Sequence, residues 1–208
     1  QSAYRDVVTD ENQPTLEKFL INEADVIDAI DELSCSSASG PDGVPAVLLK
    51  KCKSTLSKPL VSLYKCCIEQ GITPALLKQS HIVPIFKSGH QGLAVNYRPI
   101  SLTSHIVKIL EKVVRNQISR FLESNKLYNP HQHGFRQGYS CPSQLLEHYD
   151  QIVEYLQQGL NVDTIYLDFS KAFDKVDHGI LLDKLEIIGI KGKIKDWIAS
   201  FLADRYQR

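Results

Sequence analysis

The chain has 208 residues, 43% of them apolar, with 24 basic residues against 24 acidic ones. That apolar share is ordinary for a globular protein and excludes a disordered one, and the length allows one domain, or one and a part. No uninterrupted apolar run of ~18 residues occurs, so no membrane-spanning helix is expected. The start Gln1-Ser-Ala-Tyr-Arg-Asp has no apolar signal core, and the absence of Met makes a fragment or a processed chain the expectation.

A net charge of zero points away from a polyanion partner until the charges are mapped. Residues 1–49 hold 2 basic and 10 acidic residues, a net of −8. Residues 50–136 hold 14 basic and 3 acidic, a net of +11, and residues 137–208 hold 8 and 11, a net of −3. A basic block of that size suggests a polyanion, although surface lysines also serve solvation alone.

In chain order, Asn22 caps a predicted helix over 23–33, with Val26, Ile27, Ile30 and Leu33 on one face. Small residues 34–43 form a loop, Pro45 opens a short helix through Lys51, and a second helix over 56–70 stops at Gly71. Residues 81–86 read as a strand, 87–96 as a turn-rich loop, and 97–103 as extended, since Pro99 restricts Arg98. A long amphipathic helix is predicted over 104–125, with Ile106, Ile109, Leu110, Val113, Val114, Ile118, Phe121 and Leu122 inward. A loop over 129–141 leads to a helix over 142–158 that ends at Gly159. Residues 162–169 read as a buried strand with Asp168 at its end; a turn over 170–176 and helices near 180–188 and 193–203 follow. The order of helices and strands suggests an α+β fold.

Five cysteines, an odd number without a Cys-x-x-Cys pair, give no disulfide framework or structural zinc site. Cys66 and Cys67 are expected to pack as small hydrophobes, which fits an intracellular protein, in cytoplasm or nucleus and not secreted. His131 and His133 are expected to be ordinary loop histidines. Asp168 has the chemistry of a divalent-cation ligand, since hard oxygen donors suit Mg²⁺, and two-metal phosphoryl transfer needs more than one carboxylate. Asp174 and Asp177 follow across a turn, where Asp174 also suits a helix cap; for Asp168 alone, a turn aspartate is the competing reading.

The run Tyr166-Leu-Asp-Phe-Ser-Lys-Ala-Phe-Asp-Lys-Val-Asp-His178 resembles the first catalytic motif of reverse transcriptases from LINE-type (non-LTR) retrotransposons. Three further runs agree in family order: Ser39-Gly-Pro-Asp-Gly-Val-Pro45; Ile82-Val-Pro-Ile-Phe-Lys87 with Asn96-Tyr-Arg-Pro-Ile-Ser-Leu-Thr103; and His133-Gly-Phe-Arg-Gln-Gly-Tyr-Ser140. Gly189-Ile-Lys-Gly192 and Trp197-Ile-Ala-Ser-Phe-Leu202 also match, so the resemblance covers about residues 23–208.

The resemblance implies an RNA-directed DNA polymerase with a right-hand shape. An acidic lead-in with one helix would occupy 1–38, the fingers 39–159 and the first part of the palm 160–208, with an incomplete palm sheet. Asp168 would be the catalytic carboxylate and a metal ligand, joined by the Phe169 carbonyl, for Mg²⁺ or Mn²⁺ in the complete enzyme. The Lys171 and Ala172 amides would cradle the triphosphate, and Phe173 would lie under the sugar and obstruct a 2′-hydroxyl. Lys87 and Arg98 would grip the triphosphate, while Gly134, Phe135 and Arg136 would sit against the template. Asp42 and Gly43 are explained by a helix-entry loop without any ligand.

The implied partners are an RNA template, a DNA primer, deoxynucleoside triphosphates, and the C-terminal palm and thumb of the same polypeptide. The family's Pro-Gln-Gly motif and Tyr/Phe-Ala-Asp-Asp hairpin are absent from these residues, so this chain alone is expected to be inactive. The alternative is a non-catalytic nucleic-acid-binding remnant or domesticated fragment. An aspartate-nucleophile phosphotransferase fits less well, because Ser170 stands where a second Asp is wanted.

Overall fold

The computed structural model describes residues 13–208. The expectation of no apolar leader at residues 1–6 falls outside that range. Helices α1 (Glu23–Asp31), α2 (Ala46–Lys51), α3 (Lys53–Gln70), α4 (His105–Ser124), α5 (Cys141–Gln157), α6 (His178–Ile187) and α7 (Lys193–Leu202) accompany strands β1 (Gln79–Phe86), β2 (Tyr97–Thr103) and β3 (Tyr206–Gln207). The fold is α+β and helix-rich. Its described residues divide into two compact units: those up to Ile118 with His178–Arg208, and Ser119–Asp177, the cut falling within α4.

In the first unit, local signals and burial agree. The Asn22 side chain accepts the Asp25 N–H at 2.9 Å and starts α1, whose Val26, Ala29 and Ile30 are buried. Gly71 ends α3 with a left-handed backbone at φ 65. Tyr64, in α3, is fully buried and donates its hydroxyl to the Ile106 carbonyl at 2.7 Å. Burial pushes that phenol well above its ordinary pKa. Along α4, Ile109, Leu110, Val113 and Val114 are buried as their spacing predicts, whereas Ile106 is half-buried and Val107 takes the inward place. Cys67 packs in the core, but Cys66 is exposed, because adjacent positions on a helix point in different directions.

The loop 39–45 closes on the start of α4. A Cβ on Gly40 would lie 2.5 Å from Ser104 N and Thr103 C, so only glycine permits this approach. Asp42 Oδ2 accepts the Ser104 hydroxyl at 2.5 Å, and Ser104 Oγ accepts the Ile106 N–H at 3.1 Å. The motif is thus a helix-entry clasp.

β1 and β2 pair antiparallel, with Pro84 opposite Pro99, Ile85 opposite Arg98, and Phe86 opposite Tyr97. β3, which no local pattern announced, adds parallel to β1, giving the order β2-β1-β3.

One predicted element does not form. Residues 162–169 are irregular instead of a buried strand, and Ile165, Leu167 and Phe169 are 83%, 90% and 84% exposed. Strand propensity is realised only by pairing, and none of the described residues pairs with this segment. Asp168 therefore stands in an exposed, irregular segment.

Candidate functional site

Ten residues carry the expected site. Eight of them (Gly134, Phe135, Arg136, Asp168, Phe169, Lys171, Ala172 and Phe173) belong to the Ser119–Asp177 unit, while Lys87 and Arg98 belong to the first unit.

The loop between α4 and α5 is organised by Arg136. Its Nε and Nη2 donate to the two Glu123 carboxylate oxygens, each at 3.0 Å, and Nη1 donates to the carbonyls of Asn129 at 3.3 Å and Gln132 at 3.2 Å. The guanidinium carbon lies 5.0 Å from the Tyr128 ring centre and 4.1 Å from that of Tyr139. Such bidentate and stacked geometry is specific to arginine. The hydrogen bond from Arg136 holds the Glu123 carboxyl below its ordinary range. Most of the donors of Arg136 are thus spent within the protein, on Glu123 of α4 and on two carbonyls of its own loop.

A second clasp joins the loop to α5. His131 Nδ1 lies 2.5 Å from Glu147 Oε1, and the buried His133 places Nε2 2.6 Å from Glu147 Oε2 and Nδ1 2.8 Å from Ser143 Oγ. These bonds lower the Glu147 carboxyl, the His131 contact most. Ser143 also completes a capping box with Ser140 at the start of α5. His131 and His133 are therefore anchors of the loop. Glu123, Tyr128 and Glu147 had no sequence signal of their own, whereas Tyr139 lies within the 133–140 run without a role assigned to it.

Between these anchors the chain presents Gly134 and Phe135. Phe135 has a left-handed backbone at φ 64 and is 92% exposed. A Cβ on Gly134 would meet only Gln132 Nε2 at 3.5 Å, an ordinary contact.

Two aromatic contacts bracket Asp168. Tyr166 Oη lies 3.1 Å from His148 Nε2 on α5, with the rings 5.9 Å apart. The Phe173 ring meets Phe135 edge-to-face at 5.9 Å and 83°. Residues 170–175 form the expected turn, with Lys171 left-handed at φ 54 and the Lys175 N–H donating to Lys171 O at 3.2 Å. Asp168, Phe169, Lys171, Ala172 and Phe173 are all exposed. Among the described residues, no group of three or more His, Cys, Asp or Glu gathers as a metal site. The Asp168 carboxylate and the Phe169 carbonyl are hard oxygen donors of the kind Mg²⁺ takes. Two such donors do not by themselves build a two-ion centre.

In the first unit, Lys87 and Arg98 are exposed at the turn end of the β1–β2 hairpin, where the Lys87 N–H donates to Asn96 O at 2.8 Å. The neighbouring Phe86 and Tyr97 pack edge-to-face at 5.5 Å.

Residues 85–208 match the reverse transcriptase (RNA-dependent DNA polymerase) family. The chain belongs to this family. It is 27% identical over 186 residues to the probable RNA-directed DNA polymerase from transposon BS of Drosophila melanogaster, covering 89% of this chain and 20% of that protein. It is 29% identical over 182 residues to the RNA-directed DNA polymerase from mobile element jockey of Drosophila funebris, covering 87% and 20%. The Pol polyprotein of the type-1 retrotransposable element R2 of Popillia japonica is 26% identical over 184 residues, covering 85% and 24%. This reverse transcriptase chain spans about a fifth of the length of the first of these curated relatives. None of its described helices is long and apolar enough to cross a membrane.

Proposed function

We propose that the chain is the fingers and opening palm of a retrotransposon polymerase that copies RNA into DNA by two-metal nucleotidyl transfer. The observation that carries this reading is the placement of the Asp168–Phe173 run beside the 133–140 loop in one unit, joined through Phe135 and Phe173. In this reading Asp168 and the Phe169 carbonyl supply part of the ligand set for Mg²⁺ or Mn²⁺. When bound, the ions activate the primer 3′-hydroxyl and neutralise the leaving pyrophosphate.

The chain's own residues hold and orient the nucleotide. The Lys171 and Ala172 amides donate to no group among the described residues, which leaves them for phosphate oxygens. Lys87 and Arg98 are phosphate-binding cations of the first unit, and Phe173 excludes a 2′-hydroxyl from beneath the sugar. Gly134 and Phe135 face the template, while Arg136 acts through them, since its donors already hold the loop. The exposed Ile165, Leu167 and Phe169 are covered by the rest of the palm, in the C-terminal part of the same polypeptide. The basic block 50–136 binds the RNA template and DNA primer, with an affinity that falls as salt rises.

Primer extension on an RNA template tests the reading. The 208-residue chain alone is expected to extend nothing. The polymerase that carries it is expected to extend the primer and to lose about a hundred- to a thousandfold in rate in Asp168→Ala, the scale of removing a transition-state charge stabiliser. Full activity in that variant would overturn the role of Asp168. Extension by the chain alone, abolished by the same substitution, would show that these residues suffice.

A further inference from the structure

Phe135 combines three properties that packing does not reconcile. Its φ of 64 lies in the left-handed region that few non-glycine residues adopt and that costs free energy to hold. The residue is 92% exposed, so burial does not compensate that cost. The residue beside it, Arg136, is locked by Glu123, Asn129 and Gln132, which keeps the strained turn in place. Backbone strain maintained in this way is characteristic of positions whose geometry is used.

The ring that Phe135 meets is that of Phe173, edge-to-face at 5.9 Å and 83°, an arrangement that aromatic pairs favour. Phe173 is itself 78% exposed and lies in a segment without regular secondary structure. The turn holds its backbone, but so exposed a side chain leaves the direction of the ring to the few groups that touch it. A side chain that excludes one hydroxyl by contact must keep a single rotamer, and the ring beside it among the described residues is Phe135.

We propose that Phe135 is a specificity-determining positioning residue: it buttresses Phe173 and so sets how strictly the site rejects ribonucleotides. The inference rests on the reading of Phe173 as the residue beneath the sugar. It adds a discriminating role to a loop otherwise assigned to the template.

The test compares kcat/KM for a deoxynucleotide and the matching ribonucleotide in the polymerase that carries this chain. Phe135→Ala and Phe135→Leu are expected to lower the deoxy-to-ribo ratio roughly two- to tenfold, the range an edge-to-face contact supplies. Phe135→Tyr keeps the ring and is expected to keep the ratio. Phe173→Ala is expected to lower the ratio at least as far, and adding Phe135→Ala to it to lower it no further. A relaxed ratio in Phe173→Ala beside an unchanged one in Phe135→Leu overturns this inference alone, because a template contact moves both nucleotides together. An unchanged ratio in Phe173→Ala overturns the sugar-exclusion reading and this inference with it. If Phe135→Ala does not fold, the Leu and Tyr variants decide the matter.

Discussion

In the unit formed by the residues up to Ile118 with 178–208, Val26, Ile30, Leu110, Ile190 and Ile194 are each at most 1% exposed. In the Ser119–Asp177 unit, the sole buried residue among the described ones is His133. The first unit is held by aliphatic burial, at about 1.5–3 kcal/mol for each large side chain. The second is held by charge-assisted hydrogen bonds around Glu123 and Glu147 and by ring contacts, and α5 buries none of its residues. The residues expected to do chemistry are concentrated in the second. A scaffold with its own core and a site whose order comes from a few polar anchors respond differently to the same perturbation.

The largest expected effect tests the first half of that contrast. Leu110→Ala should cost about 2–5 kcal/mol, because it removes a fully buried side chain from a packed core. Urea unfolding would measure it, and a loss below 1 kcal/mol would mean that α4 is not packed as described. Gly40→Ala should cost about 1–3 kcal/mol, since the added methyl meets the backbone of Thr103 and Ser104 and must displace it. A neutral result would show that the 39–45 clasp is loose.

Acid should separate the units. Burial lowers the pKa of His105 in the first unit. Below about pH 6.5 the unfolded chain binds a proton that the folded unit refuses, so stability falls as pH drops through that region. In the second unit the lowered carboxyls are Glu123 and Glu147. Their contribution is present above about pH 4.3, the unfolded carboxylate value, and is lost as pH falls through the lower folded values. Amide exchange followed against pH should therefore show the 129–140 loop keeping its protection to lower pH than the contacts around His105. Simultaneous loss would contradict the separation.

The smallest effect completes the comparison. Leu146→Ala should change stability by no more than about 0.5 kcal/mol, because Leu146 is 71% exposed on α5. The same substitution type at Leu110 and Leu146 thus brackets the difference between the two units. A cost at Leu146 near that at Leu110 would show that α5 is covered in solution.

Most of the fold was legible because each helix carries its own instructions. Asn22, Gly71 and Gly159 mark ends, and the apolar repeat of α4 marks a buried face. β1 and β2 were legible because they lie eleven positions apart around a turn. The 162–169 segment was misread because a β-rich apolar run records an ability to pair and not the presence of a partner. β3 was invisible because two residues carry no period.

At the site, chain order and residue type pointed to Asp168, Lys171, Ala172, Phe173, Lys87, Arg98, Gly134, Phe135 and Arg136 through their resemblance to a family, and the family itself is the one the chain belongs to. Tertiary structure decided what surrounds them. Arg136 and Glu123 are thirteen residues apart, and His133 and Glu147 fourteen, spacings with no periodic signature across a loop. The left-handed turn at Phe135 was equally unreadable, because a phenylalanine advertises no such backbone. By itself the sequence determined which groups are available. Which of them spend their hydrogen bonds on the protein, and which stay exposed, was decided by non-local contacts, whose partners no local pattern names.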